Sequence, residues 1–139
     1  MIVVSIIALL AVMALPSFLR AREQAQNTKF INALRVATGA FEMYNIDYAA
    51  YPPDVNRAIV SSGMALYFGP TLDWTQPTPI GGNWDWDNNQ FGFKAGVSVV
   101  GSAAPATQFL EIDKKFDDGD LSKGRFQDTA SQRYTDIIE

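Results

Sequence analysis

The chain has 139 residues, a formal charge of −4, no cysteine and no histidine, which is enough for one domain of ordinary size and excludes disulfides, thiolate nucleophiles, imidazole bases and the usual zinc ligands. Arg20, Arg22, Lys29, Arg35 and Arg57 outweigh Glu23, Glu42, Asp47 and Asp54 by one, so residues 1–60 carry +1 and residues 61–139 the remaining −5. That balance argues against a nucleic-acid partner, because such binders need a basic patch to displace phosphate counterions.

Residues 1–19, MIVVSIIALLAVMALPSFL, hold no charged side chain, and at about 1.5 Å per residue they nearly match the roughly 30 Å hydrocarbon core of a bilayer. No basic stretch precedes the run and no clean small-x-small site follows it before Arg20, so it reads as a retained span rather than a cleaved signal. Pro16 removes one helical hydrogen bond, and a kink or local melting is expected there. From residue 20 to about 50 the helix continues in amphipathic form: Phe30, Leu34, Ala37, Phe41, Tyr44 and Tyr48 recur at steps of four and three and predict one core-facing stripe. Tyr51-Pro52-Pro53 ends it.

Residues 51–139 are expected to form an α+β head, with a small antiparallel β-sheet packed on the helical spine. Asp54 can cap a short helix to about Ser62, with Ala58 and Ile59 inward and Gly63 as terminator. Residues 64–83 read as a loop that buries Leu66, Tyr67, Phe68, Leu72 and Trp74. In WDWDNNQFGFKAGVSVVG, Trp84 and Trp86 alternate with Asp85 and Asp87, Asn88-Asn89 turns the chain, and Phe91, Phe93 and the valines resume the pattern, which predicts a β-hairpin. Pro105 opens a second helix with Phe109, Ile112 and Phe116 on one side and Gly119 at its end, with a strand over FLEI as the alternative. Residues 125–128 and 134–138 complete a meander of three or four strands.

The first 50 residues carry a resemblance: MIVVSIIALLAVMALPSFLRAREQAQ is similar to the N-terminal helix of type IV pilins and type II secretion pseudopilins, including a proline like Pro16 and a juncture like Ser17-Phe18-Leu19-Arg20-Ala21-Arg22. The resemblance implies a structural subunit, not an enzyme. Such a subunit polymerises with copies of itself and other pilin-like subunits into a helical filament, with Ile2, Val3, Val4, Ile6, Ile7, Leu9, Leu10, Val12, Leu15, Pro16 and Phe18 in the filament core. It implies insertion in a bacterial inner membrane by assembly machinery, a single pass with the head in the periplasm, and later a place in an extracytoplasmic filament or at the cell surface. In that family the mature chain starts with Phe-Thr-Leu-Ile-Glu after a glycine-ended basic leader; Met1 falls part-way into the pattern, so those features are expected upstream of it. Arg20, Arg22, Lys29 and Arg35 follow the span and by charge alone leave its orientation ambiguous. The leader implied by the resemblance would hold the N-terminus inside.

Asp113, Asp117, Asp118 and Asp120, with Glu111 nearby, are the one cluster with ligand character. Calcium takes six to eight oxygens from carboxylates, carbonyls and water, and acidic groups at a helix C-terminus oppose the helix dipole unless a cation sits there. Major secretion pseudopilins are similar in having a calcium-bound C-terminal loop. A plain tight turn after the helix is the competing reading, and no cofactor other than a structural calcium is expected. Adjacent aspartates on one turn do not make the facing carboxylates of a glycosidase. The alternative function is a membrane-anchored monomeric binding module that uses the tryptophan-rich loop around Trp74, Trp84 and Trp86 on a glycan or peptide.

Overall fold

The structure, a computed structural model, describes residues 2–139. One helix, α1 (Ile2–Tyr48), runs 47 residues without interruption, and it continues through Pro16 rather than melting there. Its first half, residues 2–25, is exposed along its whole length. Burial begins at Asn27 and follows the predicted stripe through Phe30, Leu34, Ala37 and Phe41. Tyr44 is half-buried and Tyr48 is 63% exposed; the stripe fades here, and Tyr48 packs its ring on Tyr44 at 4.5 Å.

The head is α+β: α1 packs on a four-stranded antiparallel sheet of β1 (Asn83–Asn88), β2 (Ala95–Val100), β3 (Phe126–Ala130) and β4 (Arg133–Ile137), and α2 (Ala106–Phe116) links β2 to β3. The strand order is β1-β2-β4-β3. The expected meander is therefore corrected: the α2 crossover carries β3 to the far edge, and β4 returns between β2 and β3. Trp84 pairs with Val99 and Trp86 with Val97, and this face meets α1. Phe30 stacks on Trp84 with ring centroids at 5.6 Å, and Phe41 stacks on Trp86 at 3.8 Å. Phe68 and Trp74 close the layer from the loop. Two of the buried indole N–H groups find backbone acceptors, Trp74 donating to the Ile59 carbonyl at 2.9 Å and Trp86 to the Pro52 carbonyl at 3.0 Å, as is usual for buried tryptophans.

Three local expectations fail for identifiable reasons. No helix follows Asp54; Val55 forms an isolated antiparallel bridge with Trp86, and the Ala58 N–H donates to the Trp84 carbonyl at 2.8 Å. The free edge of β1 thus recruits this segment, Ala58 turns it at φ 59, and Gly63 precedes a short 3-10 turn (Met64–Leu66) instead of ending a helix. Leu66 is 92% exposed although its neighbours Met64 and Phe68 are buried. Phe91 and Phe93 lie in the hairpin loop, because β2 starts only at Ala95. Phe93 folds back over Gly96, where any Cβ would collide with its ring.

Candidate functional site

Two features stand apart from ordinary core-making. The first is the free half of α1. Twelve large apolar side chains between Ile2 and Leu19 are more than half exposed. At about 1.5–3 kcal/mol for each such side chain moved out of water, leaving them hydrated forgoes on the order of 20–40 kcal/mol, more than the roughly 5–15 kcal/mol by which a whole domain is stable. A lipid or protein environment must cover them, and the helix is long and apolar enough to cross a membrane. Of the predicted filament-core residues, all lie on this free segment and none packs on the head.

The second feature is an acidic triad at the C-terminus of α2. One carboxylate oxygen each from Asp113, Asp117 and Asp118 lie within 4.8 Å of one another. Asp113 is fully buried, and neither of its oxygens has a hydrogen-bond partner, an uncommon and costly arrangement for a carboxylate. Burial, then the charges of Asp118 and Asp117, push its pKa up to about 6. The turn is built around the triad. Asp117 Oδ2 accepts from the backbone N–H groups of Arg125 and, at 3.1 Å, Phe126; Asp118 Oδ1 accepts from the Asp120 N–H at 2.8 Å. Gly124 is required twice, by its φ of 77 and because a Cβ there would run into both the Asp117 and Asp118 carboxylates.

Asp120 does not join the triad. Its Oδ1 takes the Ser122 hydroxyl at 2.6 Å and the Ser122 N–H at 3.1 Å, and Lys123 approaches at 3.4 Å; those bonds to Ser122 hold its carboxyl below the usual range. Glu111 stays outside as well. The donor set suits a hard cation: two oxygens on opposite sides of a calcium, each at about 2.4 Å, are about 4.8 Å apart, so oxygens this close can share one ion.

Sequence reasoning missed two ion clusters that tie the sheet together, one buried and one with its arginine half-exposed. Arg133 donates from Nη1 to Asp87 (2.8 and 2.6 Å) and from Nη2 to Asp85 (2.7 Å), on the sheet face away from α1. Asp87 also accepts from Ser98. Asp136 faces α1, where it takes the Thr38 hydroxyl at 2.8 Å and pairs with Arg125. Burial is the main cause that raises the pKa of Asp85, Asp87 and Asp136 despite these partners. The Trp-Asp-Trp-Asp alternation was a signal that two aspartates share the outer face, but their partner in β4 depends on strand order.

The three tryptophans are all buried. They form the core, and the reading of the tryptophan loop as a binding platform is set aside. Comparison with family models, with curated proteins and with solved structures gave no match.

Proposed function

We propose that this chain is a structural subunit of a filament of the type IV pilus or type II secretion pseudopilus class, held in a bacterial inner membrane before assembly and polymerising through the first half of α1. The observation that carries the reading is the single continuous helix. Its apolar half stands free of the head while its second half, from Asn27 to Phe41, is the spine of the head's core. A plain membrane tether has no need of such a rigid continuation, whereas a subunit whose head must be placed at a fixed height on a helical core does. The chain's resemblance to the pilin N-terminal helix supports the same reading, and the role is non-enzymatic.

A version starting at Arg20 should be a soluble, monomeric, folded head, since among the described residues none before Asn27 is buried. It should also fail to enter filaments formed by the full chain. Size exclusion, circular dichroism and co-sedimentation read these outcomes. Aggregation, or assembly that survives the deletion, would remove the helix from its proposed role.

Within this reading the acidic triad holds a structural calcium that pins the turn after α2. The full chain in detergent should then melt higher in calcium than in chelator, by about 2.7 kcal/mol of stability when calcium is at 100 times its dissociation constant. Magnesium, which insists on small octahedral shells, should substitute poorly. Asp118→Asn should abolish the shift and Asp120→Asn should largely keep it. The pH dependence has a definite sign: a carboxyl raised from 3.8 to about 6 by folding stabilises the head fully only below its unfolded pKa, and that contribution is lost as pH rises through about 6. In chelator, acidification from pH 7 to 5 should therefore add stability through Asp113, and saturating calcium should remove that gain. Equal melting in calcium and chelator at pH 7 would mean that the triad holds no calcium.

A further inference from the structure

A cleft of about 170 Å³ opens on the sheet face away from α1, beside the Arg133 cluster. One wall is Phe91, which is 51% exposed. Its φ of 51 is left-handed, and Asn89 (φ 56) and Gly92 (φ 91) flank it in the same region. Such a conformation costs a bulky residue about 1–3 kcal/mol and persists only where the surroundings hold it. What holds this ring is the Arg133 guanidinium, 4.5 Å from its centroid and itself locked by Asp85 and Asp87, together with the Phe93 ring stacked at 6.3 Å. The opposite wall is Asp54, Asn56 and Arg57, on the segment fixed to β1 by the Val55 bridge and the Ala58 N–H.

The cleft is rich in uncommitted hydrogen-bonding capacity. Among the described residues, no hydrogen bond engages the side chains of Asn56, Arg57 or Gln90, and Asp54 uses only Oδ1, for the Asn88 N–H at 3.1 Å. Charge narrows the ligand class. Three carboxylates against two guanidiniums disfavour an anion. A cation finds the inner face of Phe91 already occupied by Arg133, with Arg57 at the rim. An apolar ligand would find only the Phe91 ring to pack on, since the opposite wall of Asp54, Asn56 and Arg57 is polar. Hydroxyl groups both donate and accept, so a neutral polyol satisfies carboxylate, amide and guanidinium together while its C–H groups contact the half-exposed Phe91 ring. The volume is below the roughly 300–1,000 Å³ of drug-sized sites, which limits the occupant to about one ring.

We propose that this cleft binds a single neutral sugar ring, with Phe91 as the stacking platform and Asp54, Asn56, Arg57 and Gln90 as the hydroxyl-reading groups. The inference stands independently of filament assembly. It is tested on the full chain in lauryldimethylamine oxide, a detergent without sugar, by saturation-transfer NMR with the methyl glycosides of galactose, mannose and N-acetylglucosamine, and with putrescine as the cationic probe. The expected result is transfer to at least one glycoside and none to putrescine, with binding weakened at least about tenfold in Phe91→Ala and several-fold in Asn56→Ala. Both variants should melt as the wild type does; should Phe91→Ala melt lower, the exposed Asn56→Ala change carries the test. No transfer to any of the three glycosides, transfer to putrescine in their place, or undiminished binding in Asn56→Ala would overturn the proposal.

Discussion

Replacing Phe41 with alanine is expected to cost the head about 3–5 kcal/mol, a large share of the roughly 5–15 kcal/mol available to a domain. The ring is fully buried on α1, stacks on Trp86 at 3.8 Å, and meets Phe68 and Trp74 edge-on at 5.6 and 5.4 Å. All three partners are large and planar, and each is fixed on its other side: Trp86 by the Pro52 carbonyl, Trp74 by the Ile59 carbonyl, Phe68 by its stack on Trp74. They cannot close over the vacancy, so the cavity term should appear nearly in full. Trp74 and Trp86 beside the substitution make denaturant unfolding readable by fluorescence. A loss below about 1 kcal/mol would mean that the stripe on α1 does not form the head's core.

Arg133→Ala should be comparably damaging for an electrostatic reason. The guanidinium is the shared counter-ion of Asp85 and Asp87, all three side chains being nearly inaccessible, and removing one partner of a buried charge cluster typically costs about 3–5 kcal/mol because the remaining charge is stranded. Burial already raises both aspartates with Arg133 present, and without it they must rise further. A carboxyl raised in the folded state favours folding at low pH and loses that contribution as pH climbs through its folded value. The deficit of the variant should thus be greatest at pH 7 and narrow toward about pH 4. A deficit under about 1 kcal/mol at pH 7, or one that does not change with pH, would show that the cluster is not the ion pair that holds the outer face of the sheet.

Much of the architecture is legible in the sequence where a periodic pattern meets a face of constant burial. Phe30, Leu34, Ala37 and Phe41 announce the core side of α1, and Trp84 and Trp86 announce the inner face of β1. The pattern misleads at its edges. Tyr48 keeps the spacing yet is exposed, and the segment after Asp54 is drawn into an extended bridge by the hydrogen-bonding edge of β1. Local propensity says nothing about that edge. The strand order was hidden for a related reason, since β4 enters between β2 and β3 only after α2 has crossed over.

The acidic cluster was visible as composition, but its geometry was not. Nothing local distinguishes Asp120, whose carboxylate is absorbed by Ser122 and Lys123, from Asp118, which joins Asp113 and Asp117. The burial of Asp113 follows from the inward face of α2, where it adjoins Ile112. Gly124 was the overlooked signal, a glycine whose conformation and missing side chain are both demanded by the two carboxylates beside it.

The most direct test of the filament reading is electron cryo-microscopy of surface or periplasmic filaments from cells that produce this protein, with the subunit identified from the density. The account predicts a helical polymer in which residues 2–19 of neighbouring copies pack together at the centre, continuous with α1, and the α+β heads form the outer layer. Cells that make the full chain yet hold it only as dispersed monomers in the membrane, or a polymer whose centre excludes these helices, would contradict it.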